Sequence, residues 1–280
     1  MKKNLLVGLT LCLFMLQISF GQLNISGDVT PSAMLRISDG SLIDLPFRLG
    51  NIAIDYAWGD FEFKTTTALE TRWVDAEYDS DMFKLREAYV LWYPSFGEIK
   101  LGKMIQAWGA ADANNPTDNL SPYDFYYMFM AGTDRKLGTL AASAKVYAGD
   151  FQLELIGLPE FKSNRMPLNE PDFPIQIDVP ENANYFEPEN EFEFGARLQY
   201  AMGLGDVSAS YFQGNDRGFS PAGVEIDLTP MSQGGLPDFA SHLTYRSTNV
   251  FGLDGVLFPG DWTIRGEFAY FTTKTPEIEY

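Results

Sequence analysis

The stretch Phe61 to Val74, FEFKTTTALETRWV, decides the fold. Phe61, Phe63, Leu69 and Trp73 share one parity and Glu62, Lys64, Glu70 and Arg72 the other, the signature of a strand with one apolar and one wet face. The same alternation returns along the chain. Phe151, Leu153 and Leu155 oppose Gln152 and Glu154. Phe192, Phe194, Ala196, Leu198 and Tyr200 oppose Glu193, Arg197 and Gln199. Trp262, Ile264, Phe268 and Tyr270 oppose Thr263, Arg265 and Glu267.

Looser examples span Leu23 to Ile37, Asn51 to Trp58, Lys84 to Tyr93, Glu98 to Gln106, Thr139 to Ala148, Val207 to Phe212 and Ser241 to Phe258, for about eleven strands in all. In Lys84 to Tyr93 both faces are mixed, and the pattern assigns no inside.

The connections alternate as well. Short ones carry turn residues: Trp58 to Asp60, Pro94 to Gly97, Ala148 to Asp150, Gly203 to Asp206 and Pro259 to Asp261. Between them lie longer polar stretches: Asp39 to Gly50, Asp75 to Phe83, Ala107 to Gly138, Glu160 to Glu191 and Gly214 to Asp238. Short turns on one side and long loops on the other belong to transmembrane barrels, whose tilted strands need about 9 to 11 residues. Aromatics near strand ends, among them Tyr56, Trp58, Trp92, Tyr93 and Phe271, suit interfacial girdles. A secreted β-sandwich is the alternative, but nothing in a sandwich requires that alternation of connections, and long strands with large exposed aromatics would aggregate in water.

Bulk properties agree with an exported strand protein. Aromatics reach 15% of the 280 residues, yet mean hydropathy is −0.14, so the apolar residues are dispersed. The one long apolar run is N-terminal. Lys2 and Lys3 precede Leu5 to Phe20, and Ser19 and Gly21 supply small residues before Gln22, the layout of a signal peptide over residues 1–21, leaving 22–280 as the barrel domain. Cys12 is the only cysteine and Leu11 precedes it, which argues against lipidation and against disulfides in the mature chain. Net charge is −18, and loss of Lys2 and Lys3 takes it to −20, which argues against nucleic acid as a partner. An odd number of strands would leave a single-chain barrel unable to close, so the fold expected is an all-β antiparallel transmembrane barrel present in its N-terminal portion only.

A resemblance becomes visible from Leu85 to Phe125. The runs Leu85-Arg86-Glu87-Ala88-Tyr89-Val90, Ile99-Lys100-Leu101-Gly102-Lys103, Trp108-Gly109-Ala110-Ala111-Asp112 and Asn115 to Asp124 resemble a family of large outer-membrane porin-like proteins, similar to alginate-export and other substrate-specific porins. Lys103 stands where that pattern would lead one to expect arginine. The resemblance spans about 40 residues and implies a barrel rather than a particular substrate.

Two sets of residues are candidates for function. On the wet faces Glu62, Lys64, Glu70, Arg72, Lys145, Glu154, Glu193, Arg197, Arg246, Arg265 and Glu267 would line a hydrated channel, or pair across strands and brace the wall. Trp108 to Phe125 is a turn-rich loop in which Trp108, Asp112, Asn115, Asp118, Asn119 and Asp124 would form a constriction if it folds inward, or a cap if it does not. Its oxygen donors fit no EF-hand spacing, so no metal site is assigned. The acidic stretch Glu160 to Glu191, in which Lys162 and Arg165 are the only cations, reads as a solvated face.

His242 is the only histidine, and Ser241 beside it would point to the opposite face of a strand, so no catalytic pair forms and no enzyme is expected. No cofactor motif occurs. The expectation is a channel in the outer membrane of a Gram-negative bacterium for small polar or anionic solutes. Its partners would be outer-membrane lipid, lipopolysaccharide and the barrel-assembly machinery, and oligomers would be compatible. A non-channel barrel for adhesion or envelope structure is the rival.

Overall fold

The computed structural model describes residues 22–74, 82–111, 115–175, 179–180, 182–230 and 236–274. The expected signal peptide, Asp112, and Asp178 and Glu181 of the acidic stretch lie outside the described residues.

The strands run β1 (Gln22–Val29), β2 (Met34–Leu35), β3 (Leu42–Ile43), β4 (Phe47–Trp58), β5 (Phe61–Thr71), β6 (Phe83–Trp92), β7 (Gly97–Met104) and β8 (Thr139–Ala148). They continue as β9 (Phe151–Leu158), β10 (Asn184–Phe186), β11 (Glu193–Met202), β12 (Gly205–Asn215), β13 (Ser220–Asp227), β14 (Asp238–Thr244), β15 (Ser247–Leu257) and β16 (Ile264–Lys274). Eleven of them form one sheet in the order β1-β4-β5-β6-β7-β8-β9-β11-β12-β15-β16, with every neighbouring pair antiparallel. These are the eleven strands expected from alternation, joined by the expected short turns. At two of the turns, Gly59 and Gly149 open a two-residue loop with φ of 58° and 60°, a conformation that lets the hairpin follow the twist of its strands.

The fold is all-β, an antiparallel barrel wall. It curls, because Tyr89 on β6 and Ala269 on β16 pack against the same central cluster of Met104, Trp108, Leu120, Ala141, Ile156, Leu158, Phe212 and Val250. Among the described residues β1 and β16 are the two edges of the sheet and do not pair. The convex face is apolar and open: Ile52, Phe63, Leu101, Leu153, Leu198, Phe251, Leu253 and Phe268 are all exposed. No helix among the described residues is long and apolar enough to cross a membrane, which says nothing of the strands.

Four details depart from the sequence reading. The strand expected over Leu23 to Ile37 ends at Val29, and β4 begins at Phe47, inside the expected loop. Ser241 to Phe258 is two strands. β14 joins β10 and β13 in a separate small sheet, while β15 pairs with β12 and β16. The alternation runs through the break because a change of partner leaves the pleat intact. Arg246 therefore stands between strands, paired with Asp216 at 2.8 Å, and not on the wall.

The mixed faces of Lys84 to Tyr93 also resolve. The β5–β6 register shifts between Thr66 and Thr67, leaving Arg86 as the extra residue. Phe83 and Leu85 point out before the bulge and Trp92 after it, whereas Leu91 is buried and Tyr89 reaches the core. A bulge exchanges the parity of the two faces, so no single alternation could describe the strand.

Candidate functional site

In the long connection from β7 to β8, the described residues 105–111 and 115–128 fold inward against the concave face of the wall. Trp108 is its anchor. The indole is buried among Ile156, Leu158, Phe212 and the other cluster residues, and its Nε1 donates to Glu154 Oε2 at 3.0 Å. Gln106 Nε2 donates to the other oxygen of the same carboxylate at 3.2 Å. The wall makes room for the ring with Gly195: a Cβ there would lie 2.5 Å from Trp108 Cη2. Gly252 does the same for Thr117, at 2.8 Å from its Cγ2. Farther along, Ala111 N and Thr117 Oγ1 donate to Glu267 on β16, at 2.5 and 3.0 Å. The connection thus crosses the interior from β7 to the far edge of the sheet.

Within the fold of this connection lies a buried ion pair, Asp118 to Lys136 at 2.7 Å. Burial pushes the Asp118 carboxyl up and the Lys136 ammonium down, while each partner opposes the other's shift. Lys136 Nζ also donates to Ser121 O, and Trp108 N donates to Asp118 Oδ1. Two more cations, both from loops, tie the connection to the wall. Arg217 pairs with the fully buried Glu193 at 2.5 Å and donates to Asn119 O and Leu120 O. Arg165 forms a fork to Glu70, at 2.8 and 2.9 Å, and reaches Asp124 at 3.2 Å. That pairing outweighs burial and raises the already high affinity of Arg165 for its proton. Tyr127 adds a 2.8 Å hydrogen bond to Glu70.

Of the two alternatives left open by the sequence, the inward fold is the one observed. Among the loop candidates, Trp108, Asp118 and Asp124 are structural anchors, and Asn119 donates to Pro116 O. Asn115 closes a turn through its carbonyl, which accepts from Asp118 N.

The wall candidates divide by what they touch. Glu70 and Glu193, at the long-loop ends of β5 and β11, and Glu154 and Glu267, farther down the wall, fasten the insert. Arg72 pairs with Glu170 at 2.6 Å, which raises its proton affinity, and Arg197 pairs with Asp254 at 2.7 Å. Toward the short turns Glu62 and Lys64 pair at 3.1 Å while staying partly solvated, Lys145 stands opposite Glu98 and Glu154, and Arg265 is exposed.

Sequence reasoning did not single out Lys136, Arg165 or Arg217 as site residues. The signal for one of them was present, a cation at position 165 in an otherwise acidic stretch. The acidic stretch itself is not wholly solvated, since Glu170 holds Arg72 and accepts from Tyr126 OH, and Asp172 holds Arg36 at 2.6 Å. His242 is buried on β14 beside Phe186, with Glu225 at 3.4 Å, away from the insert.

No family model matches the chain, and no curated protein matches it. Among solved structures it is similar to a loop L8 deletion mutant of OmpT, an outer membrane protein of Vibrio cholerae, with 16% identity and a TM-score of 0.45 over 92% of this chain and 72% of that one. It is also similar to in-vitro folded OmpT of the same organism in its trimer form, with 11% identity and a TM-score of 0.27 over 91% and 90% of the two chains.

Proposed function

We propose that this chain forms the wall of an outer-membrane channel in a Gram-negative bacterium, exported by the leader at residues 1–21 and narrowed by its own connection 105–138, through which small polar or anionic solutes pass. The observation that carries the reading is the position of that connection. It lies across the concave face from Glu154 to Glu267 and not over the rim. The two faces support it. An apolar convex face suits hydrocarbon, which leaves no other home for so many exposed Leu, Ile and Phe side chains. Below the insert, Glu62, Lys64, Lys145 and Arg265 offer a mixed-sign surface suited to water.

Reconstitution of the full protein in planar bilayers tests this, with small-ion conductance expected in the wild type. Trp108→Ala, which removes the anchor, is expected to raise the conductance. Absence of current in both proteins would overturn the channel reading. Current in the variant alone would favour the second reading, a plugged barrel whose long loops act in adhesion or envelope structure. The length over which the insert is fastened is the observation that favours that alternative.

A further inference from the structure

At the long-loop end of β4 to β7 opens a pocket of about 430 Å³ whose lining runs against the character of the whole chain. Seven of its fifteen lining residues are lysine or arginine, and only Glu70 and Asp124 are acidic. The protein as a whole has 20 basic and 38 acidic residues, so so dense a cluster of cations is not a matter of composition.

Five of the seven are engaged, Lys84 among them. Arg165 holds Glu70 and Asp124, Lys136 holds Asp118, and Arg48 and Arg86 share Asp134. Lys103 and Lys162 have no carboxylate within salt-bridge distance among the described residues. Lys162 Nζ donates to Gly138 O at 3.1 Å. The stem of Lys103 lies against the same glycine, where a Cβ would stand 3.3 Å from Lys103 Cγ and 2.1 Å from Arg86 O. Gly138 therefore allows β6, β7 and the start of β8 to close until Arg86, Lys103 and Lys162 converge on one opening.

Burial, with Lys103 close by, makes Lys162 release its proton more readily than a free lysine.

We propose that this pocket binds a multiply charged oxyanion, with a phosphate group as its simplest form. Two ammonium groups, with the Arg86 guanidinium held beside them by Asp134, supply the positive charge and the charge-assisted donors such an anion needs. The anion has two available sources. It could be a free solute entering the mouth, or the phosphate of an outer-leaflet lipid, since the exposed Phe83 and Leu85 stand on the pocket's rim. The site does not depend on conductance, so its test is separate from that of the channel.

The full chain, refolded in zwitterionic detergent at low ionic strength, is titrated calorimetrically with inorganic phosphate and, in a second arm, with lipid A carried in the same detergent. Binding is expected to weaken about tenfold in Lys103→Gln or Lys162→Gln and about a hundredfold in the double variant, and to fall with added salt. Lys100→Gln, on β7 over the Tyr89 ring, is expected to bind as the wild type does. Binding of free phosphate assigns the pocket to a solute, and binding of lipid A alone assigns it to a lipid headgroup. Absence of binding in both arms by folded protein, or equal binding by wild type and lysine variants, overturns the site. The two single variants carry the test if the double variant does not refold.

Discussion

The same strand, β5, carries two carboxylates on its inner face that live under different physics. Near the short turn Glu62 pairs with Lys64 at 3.1 Å, with side chains 23% and 35% exposed. Eight residues later Glu70, 8% exposed on the same measure, takes a two-pronged hydrogen bond from Arg165 and another from Tyr127. The first pair is screened and costs little to lose, whereas removing one member of a buried set leaves a desolvated charge. On this strand the wall therefore has a soft half toward the turn and a hard half beneath the insert, although the inward residue types are alike.

The comparison can be broken most severely in the hard half. Arg217→Met should leave Glu193 buried without its cation and cost about 3–5 kcal/mol, read as a lower midpoint in denaturant unfolding of the refolded protein. A loss below about 1 kcal/mol would mean that water reaches Glu193 and that the insert is loosely seated. Gly195→Ala comes next. Its new methyl would collide with the Trp108 ring, with an expected cost of about 1–3 kcal/mol and a shift in the tryptophan emission of the folded protein.

The Asp172 latch gives a smaller effect with a definite sign. The backbone N–H of Asp44 and the Arg36 guanidinium hold its carboxyl below the usual value of 3.8. The contribution is thus present above that value and lost as pH falls through the lower folded one. Protease accessibility of the 160–175 loop should rise only in strongly acidic buffer, and Asp172→Asn should remove that dependence. Lys64→Gln marks the soft end, where a change within about 1 kcal/mol is expected in the same unfolding assay. A larger loss would erase the distinction between the halves.

Legibility in the sequence follows the same division. All eleven strands of the main sheet were visible because period-2 alternation and turn glycines are local properties. The small sheet of β10, β13 and β14 was not, since its pairing brings together Asn184–Phe186 and Asp238–Thr244 from distant parts of the chain. The wall carboxylates were recognisable from parity. Their task was not, because Glu154 and Glu267 look alike on a strand whether they face water or receive Trp108 and Thr117. The bulge at Arg86 hid the faces of β6 by exchanging their parity midway.

The sequence by itself determined the all-β wall, the order of its hairpins and the side of each clean strand that carries its polar residues, since these depend on neighbours in the chain. Only the tertiary structure decided that residues 105–111 and 115–128 turn inward, that the buried core lies inside the wall, and that scattered cations at positions 103, 136, 162, 165 and 217 gather around it. Those outcomes depend on which distant side chains share a desolvated space, and the energy of a charge in such a space is set by its neighbours in three dimensions.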